Sequence, residues 1–223
     1  IGTITAAGRL AGCTVGWDLA HAIGNVPLRL HDAGADFAAW CHYKYLNGGP
    51  GAVGGAFVHE RHANRGDLPR LAGWWGHDQA TRFEMGPDFR PSPGANGWQL
   101  STPPVLAIAP LAASLEHFDT VGLVALRQKS VALTGYLEAL VRARLGERVT
   151  ILTPADPAAR GAALSLRLEV DRDRARAVFD GLRTRGIVPD WREPGVIRAA
   201  PVPFYNSFDE AWLFVDALQS ELG

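Results

Sequence analysis

The sequence predicts an α/β fold: part of a large domain with a mixed or mostly parallel sheet flanked by helices, then a small α+β C-terminal domain. Three observations carry this. Short apolar runs alternate with short helical stretches up to about residue 62, as strands do in a helix-flanked sheet. A strongly helical pattern occupies residues 105–145. Beyond it, strand-like segments and two amphipathic stretches read as a separate, smaller domain. The boundary is placed so that the domains are 1–120 and 121–223.

At 223 residues and 47% apolar, the chain can bury a substantial core in one or two domains. Its 22 basic and 23 acidic residues are well mixed, with a net charge of −1, which excludes the basic footprint of a nucleic-acid binder. No apolar run reaches the roughly 18 residues of a membrane span, and no secretory leader is visible. Cys13 and Cys41 sit in apolar, strand-like contexts, which predicts buried free thiols, no disulfide framework and a reducing cytoplasm. The opening segment Ile1–Leu10 reads as the middle of a fold, so the chain is expected to be a fragment of a longer protein.

Taken in order, Thr5–Gly12 is expected to be helical, Cys13–Trp17 a strand, and His21–Arg29 a loop with a short helix. Phe37–Cys41 and Val53–His59 are expected strands. Gly48–Gly55 fits neither the Walker nor the Rossmann glycine pattern, its lysine preceding the glycines, and reads as a hairpin-like turn. Residues 63–104 are rich in Gly, Pro and aromatics with little periodicity; so long a loop inside a domain usually serves function or an interface. Pro103-Pro104 bars helix until the residues that follow. The stretch 105–145 exceeds one ordinary helix and is divided at Phe118–Gly122. Val149–Thr153 and Ala163–Val170 are expected strands, the second alternating apolar with polar so that one face meets water. Asp173–Arg185 is an amphipathic helix closed by Gly186, and Ile187–Trp191 and Val196–Ala200 are short strands. Ser207-Phe-Asp-Glu210 is a capping box opening the last helix.

Lys44 stands between two tyrosines, after the apolar run Asp36–Cys41 and before the turn Asn47-Gly-Gly-Pro-Gly51. A lysine at that junction has its stem in the core and its amine at a rim, where partial desolvation favours the neutral, nucleophilic form that a Schiff-base lysine needs. The sequence also allows a lysine merely snorkelling from a strand end. Asp18 ends the short apolar segment Thr14–Asp18, and His21 follows it. Alone, Asp18 reads as a helix cap and His21 as a satisfied core histidine. Together, a carboxylate and an amine at the carboxyl ends of two strands fit a pyridoxal phosphate site. Arg198 interrupts the apolar strand Val196–Pro201, and its fork matches a carboxylate bidentately, unless it lies on a solvent face. His59-Glu-Arg-His62 is too tightly spaced for a zincin helix, and no metal site is expected there.

Six collinear segments resemble kynureninase: Gly16–Val26, Tyr43-Lys-Tyr-Leu-Asn47 with Gly49-Pro-Gly51, Gly55–Glu60, Gly73-Trp-Trp-Gly-His77, Leu133–Glu138 and Gly195–Phe208. They run through almost the whole chain but cover only about the C-terminal half of that family's length. The resemblance implies a pyridoxal-phosphate enzyme of the aspartate-aminotransferase-like fold type I. It would be a cytoplasmic homodimer of tryptophan catabolism and NAD biosynthesis, hydrolysing L-kynurenine or its 3-hydroxy form to anthranilate or 3-hydroxyanthranilate and L-alanine. In that resemblance Lys44 carries the cofactor, Asp18 pairs with its ring nitrogen, and His21 supports the ring or its Asp. Tyr43 contacts the phosphate and relays protons, Trp74 and Thr102 contact the phosphate, and Arg198 grips the substrate's α-carboxylate. The family has Asn where this chain has Thr102; a hydroxyl can still donate to phosphate, but the choice between the two substrates is left open. Two other readings stand beside it: an inactive fragment lacking half the cofactor site, or a cysteine desulfurase-like lyase. The second lacks a cysteine on a mobile loop near Lys44.

Overall fold

The first helix, α1 (Gly2–Leu10), ends in a glycine turn: the Gly12 and Cys13 amides donate back to the Arg9 and Gly8 carbonyls. This computed structural model describes residues 1–223 as two compact units, Ile1–Thr120 and Val121–Gly223. Because the helix end consumes residues 12 and 13, strand β1 is Gly16–Asp18 instead of the expected Cys13–Trp17. For the same reason Cys13 is exposed; Cys41, the last residue of β2, is half-buried, so neither thiol is buried as expected.

In the first unit β1 pairs in parallel with β2 (Phe37–Cys41), and β2 pairs antiparallel with β3 (Gly54–Val58), giving a mixed three-stranded sheet. Asp18 lies opposite Ala39, and Cys41 opposite Gly54. The amino end of β2 is fastened by Asp36. Its carboxylate accepts the Val15 amide at 2.8 Å and Arg61 Nε at 2.9 Å, and lies 2.8 Å from His62 Nε2. Arg61 and His62 belong to a short 3-10 turn, Glu60–His62, that follows β3, so one residue ties three segments together.

Residues 63–104 contain no α-helix and no strand, only short 3-10 turns at Arg82–Glu84 and Gly94–Trp98 and a bridge between His77 and Pro91. Close backbone approach holds the stretch in place. A Cβ on Gly73 would overlap the backbone of Leu100, and one on Gly97 would overlap the Ser92 carbonyl. The Ser92 amide donates to the Gly76 carbonyl at 2.8 Å. Helix α2 (Val105–Val121) follows the proline pair; Leu111 is its one buried residue, and Ser114 donates its hydroxyl to the Leu46 carbonyl at 2.8 Å.

The second unit opens with α3 (Leu123–Leu145), so the long helical stretch does break beside Gly122. An antiparallel sheet in the order β4-β5-β7-β6 follows, from β4 (Val149–Ile151), β5 (Leu164–Leu168), β6 (Asp190–Arg192) and β7 (Val196–Ala199). Helices α4 (Arg172–Thr184) and α5 (Phe208–Leu222) complete it. The core joins Leu137 and Val141 of α3, Leu164 and Leu166 of β5, Leu182 of α4, Ile197 of β7 and Leu218 of α5. Each buried side chain of this kind contributes roughly 1.5–3 kcal/mol. β5 alternates buried with less buried positions, as its period predicts. β6 starts at Asp190 and not at Ile187, because Pro189 has no amide to give to a ladder. The capping box is present in full: Ser207 Oγ accepts the Glu210 amide, and the Glu210 carboxylate accepts the Ser207 amide.

Candidate active site

Parallel pairing brings the carboxyl ends of β1 and β2 to one edge of the sheet, the edge where ligands of such sheets gather. Asp18 is the last residue of β1 and is exposed there. Its Oδ1 accepts the Ala20 amide at 2.9 Å, while the next amide, Leu19, donates to Ala39 of β2 at 2.9 Å. No helix follows β1, so neither the helix cap expected of Asp18 nor the short helix expected in His21–Arg29 forms; Asp18 closes a local turn instead, engaging one of its two carboxylate oxygens. His21 follows in the same turn and is exposed, its carbonyl accepting the Asn25 amide group at 2.9 Å.

Lys44 lies in the loop beyond β2, half-buried, with Nζ 5.6 Å from the centroid of the Tyr43 ring. The loop is a tight one. The His42 carbonyl accepts the Gly48 amide at 2.9 Å and the Lys44 carbonyl accepts the Asn47 amide at 3.0 Å. Asn47 adopts the left-handed φ of 53° that its short polar side chain tolerates. Tyr43 is exposed, and the Cys41 thiol beside it, through a hydrogen bond and charge, raises the phenol above its ordinary pKa. Tyr43 is thus a protonated donor at neutral pH.

Trp74 and Thr102 stand on the irregular stretch. Trp74 is 47% exposed, edge-on to Phe83 at 5.6 Å, with the Arg82 guanidinium 5.2 Å over its ring and 4.7 Å over that of Trp75. Arg82 is held in turn by the carbonyls of Trp75 and His77. Thr102 is exposed in the segment that leads into α2. His77 bonds the Thr81 hydroxyl at 3.1 Å through its ring.

In the second unit Arg198 sits on β7 between buried Ile197 and Ala199, on the opposite face of the strand from the core. Its register partner on β6 is Asp190. Arg198 Nε donates to Asp190 Oδ2 at 2.7 Å and Nη2 donates to the same oxygen, which leaves Nη1 outside that pair. Asp190 also pairs with Arg192 at 2.9 Å. Sequence reasoning asked for a partner to Arg198 without finding Asp190. The signal was an acidic residue on the preceding short strand, usable only once the hairpin register is known.

An amine and a carboxylate at one strand edge, with a protonated phenol beside the amine, make the donor set that a pyridoxal phosphate ring and its phosphate require. The residues present fit that group. Among solved structures, a cysteine desulfurase from Escherichia coli superposes with a TM-score of 0.77 at 19% identity, covering 99% of this chain and 54% of that one. One from Thermococcus onnurineus NA1 gives 0.74 at 17%, covering 99% and 55%. The chain has the fold of the C-terminal half of a fold-type-I pyridoxal phosphate enzyme.

In sequence, residues 126–218 match the kynureninase C-terminal domain. The kynureninase of Xanthomonas euvesicatoria is 62% identical over 212 residues, 95% of this chain and 50% of that protein. That of Stenotrophomonas maltophilia is 59% identical over 220 residues, 99% of this chain and 52% of that protein. The chain spans about half the length of these relatives, and what it resembles is the C-terminal half of kynureninase.

Proposed function

We propose that this chain supplies the cofactor lysine and the substrate-gripping arginine of a kynureninase-like hydrolase. The reaction is cleavage of L-kynurenine, or its 3-hydroxy form, to anthranilate or 3-hydroxyanthranilate and L-alanine, in tryptophan catabolism. The observation that carries this is the parallel pairing of β1 with β2, which supports an amine and a carboxylate at one edge. Homodimerisation and a cytoplasmic location belong to the same reading, as what the family resemblance implies.

When bound, pyridoxal phosphate supplies an aldehyde for the amines and a ring that accepts electrons from the substrate's α-carbon. Lys44 would hold the cofactor at its aldehyde, and its amine, when free, would take up the substrate's α-proton. Asp18, with Oδ2 outside its bond to Ala20, would hold a proton on the ring nitrogen, and His21 would support the ring or its Asp. Tyr43, Trp74 and Thr102 hold the phosphate end, and Tyr43 passes a proton onward. Arg198, with Nη1 outside its pair with Asp190, would offer its guanidinium to the substrate's α-carboxylate. Water gives its hydroxyl to the aryl carbonyl carbon and its hydrogen to the β-carbon as the bond between them breaks.

Borohydride reduction in the presence of pyridoxal phosphate should fix a pyridoxyl group on Lys44, located by mass mapping. Lys44→Ala should lose that label and the fluorescence of released anthranilate. Labelling at a different lysine, or anthranilate release by Lys44→Ala at the unsubstituted rate, would overturn the assignment.

A further inference from the structure

We infer that His42 is a positioning residue for Lys44, holding the Lys44 loop through a neutral imidazole that carries its proton on Nδ1. The inference rests on the proposed role of Lys44. His42 is two residues before it and just past β2, and its ring bridges two groups of opposite kind.

Nε2 lies 2.9 Å from Trp40 Nε1, and an indole N–H only donates. Nε2 must therefore present its lone pair. Nδ1 lies 2.7 Å from the Val53 carbonyl oxygen, which only accepts, so Nδ1 must carry the hydrogen. Both bonds coexist in one protonation state alone, the neutral Nδ1–H tautomer. An imidazolium would turn a second N–H against the indole N–H and break the bridge.

The surroundings are shaped for this pair. Gly55 is the register partner of Trp40 on β3, and a Cβ there would come within 2.5 Å of Trp40 Nε1 and 2.7 Å of His42 Nε2. The two rings thus rest on bare backbone. His42 fastens the connection at both ends: its carbonyl accepts the Gly48 amide, and its ring holds Val53, the residue before β3. Lys44 stands inside the closed loop between positions 42 and 48. The titratable neighbours of His42 on its own segment are Cys41, Tyr43 and Lys44, and β3 contributes none. Neither of the ring's two bonding partners is charged.

The test uses the full-length holoenzyme. In ¹⁵N-histidine spectra at neutral pH, the resonances lost in His42→Phe should show the Nδ1–H pattern of a neutral ring. His42→Phe keeps a ring but neither hydrogen bond. It should speed amide exchange across residues 42–53 and lower kcat per bound cofactor roughly ten- to a hundredfold, with KM little changed. His42→Asn can still donate to Val53 from the Nδ1 position and should recover part of both losses. An Nε2–H tautomer, an imidazolium at neutral pH, or a Phe variant with unaltered exchange and kcat would overturn the inference. Borohydride mapping of the unsubstituted enzyme keeps the two claims apart: if Lys44 takes no label, the proposed function falls and this inference with it, whatever tautomer is found.

Discussion

At the start of β2, Asp36 is 8% exposed and its oxygens meet an amide, a guanidinium and an imidazole. Burial pushes its carboxyl up, but the Val15 amide, the His62 ring and the Arg61 guanidinium outweigh burial and hold the pKa at about 2. Its ordinary value is 3.8, so the folded state binds this proton more weakly than the unfolded chain does. The stabilisation is therefore complete above the unfolded value and is lost as pH falls from about 4 toward about 2; the shift corresponds to roughly 2 kcal/mol. Urea unfolding of the first unit, followed across that window, should show this loss, and Asp36→Asn should flatten it. Against the carboxylate stand charges of uneven exposure: Arg61 and His62 are mostly covered, whereas the nearby His31–Glu60 pair is open to solvent and adds little. Such a junction escapes a linear reading, because Val15, Asp36 and His62 are far apart in sequence. The lysine and its flanking tyrosines were readable, since their chemistry lies in one short stretch.

Among the elements, the best-read ones are fixed by neighbours in sequence. The Ser207–Glu210 box is visible as four letters and forms as such. Ser207→Ala should cost about 1 kcal/mol, with the Glu210 carboxylate keeping the Ser207 amide; the lowered melting temperature of the second unit checks this. The alternation of β5 and the amphipathic face of α4 were equally local. Strand ends were read less well: β1 and β6 both begin later than apolar content suggests, one displaced by the α1 end and one by Pro189. Cross-strand pairs were not read at all. Asp190 with Arg198, and Trp40–His42 with Val53, need a register before they mean anything. The Trp40–His42 pair alone was within reach, because positions two apart in extended chain share a face.

At the scale of the whole molecule, the chain forms two units, and its sequence relatives extend to about twice its length. The class of fold was legible because the apolar period changes character along the chain. The irregular stretch 63–104 was the least legible, since no period describes it and its order comes from backbone touching backbone. Gly73 and Gly97 admit no side chain, and the Gly76 and His77 carbonyls are both engaged by Ser92. A stretch packed that closely behaves as masonry, not as a tether. A sparing dose of protease should leave residues 71–77 and 91–100 uncut and nick first at the protruding tip around Phe83–Gly86, where Phe83 and Met85 stand about four-fifths exposed. Cleavage at the glycine seam before the tip would show that the longest irregular part of the chain yields where the structure has it mortared shut.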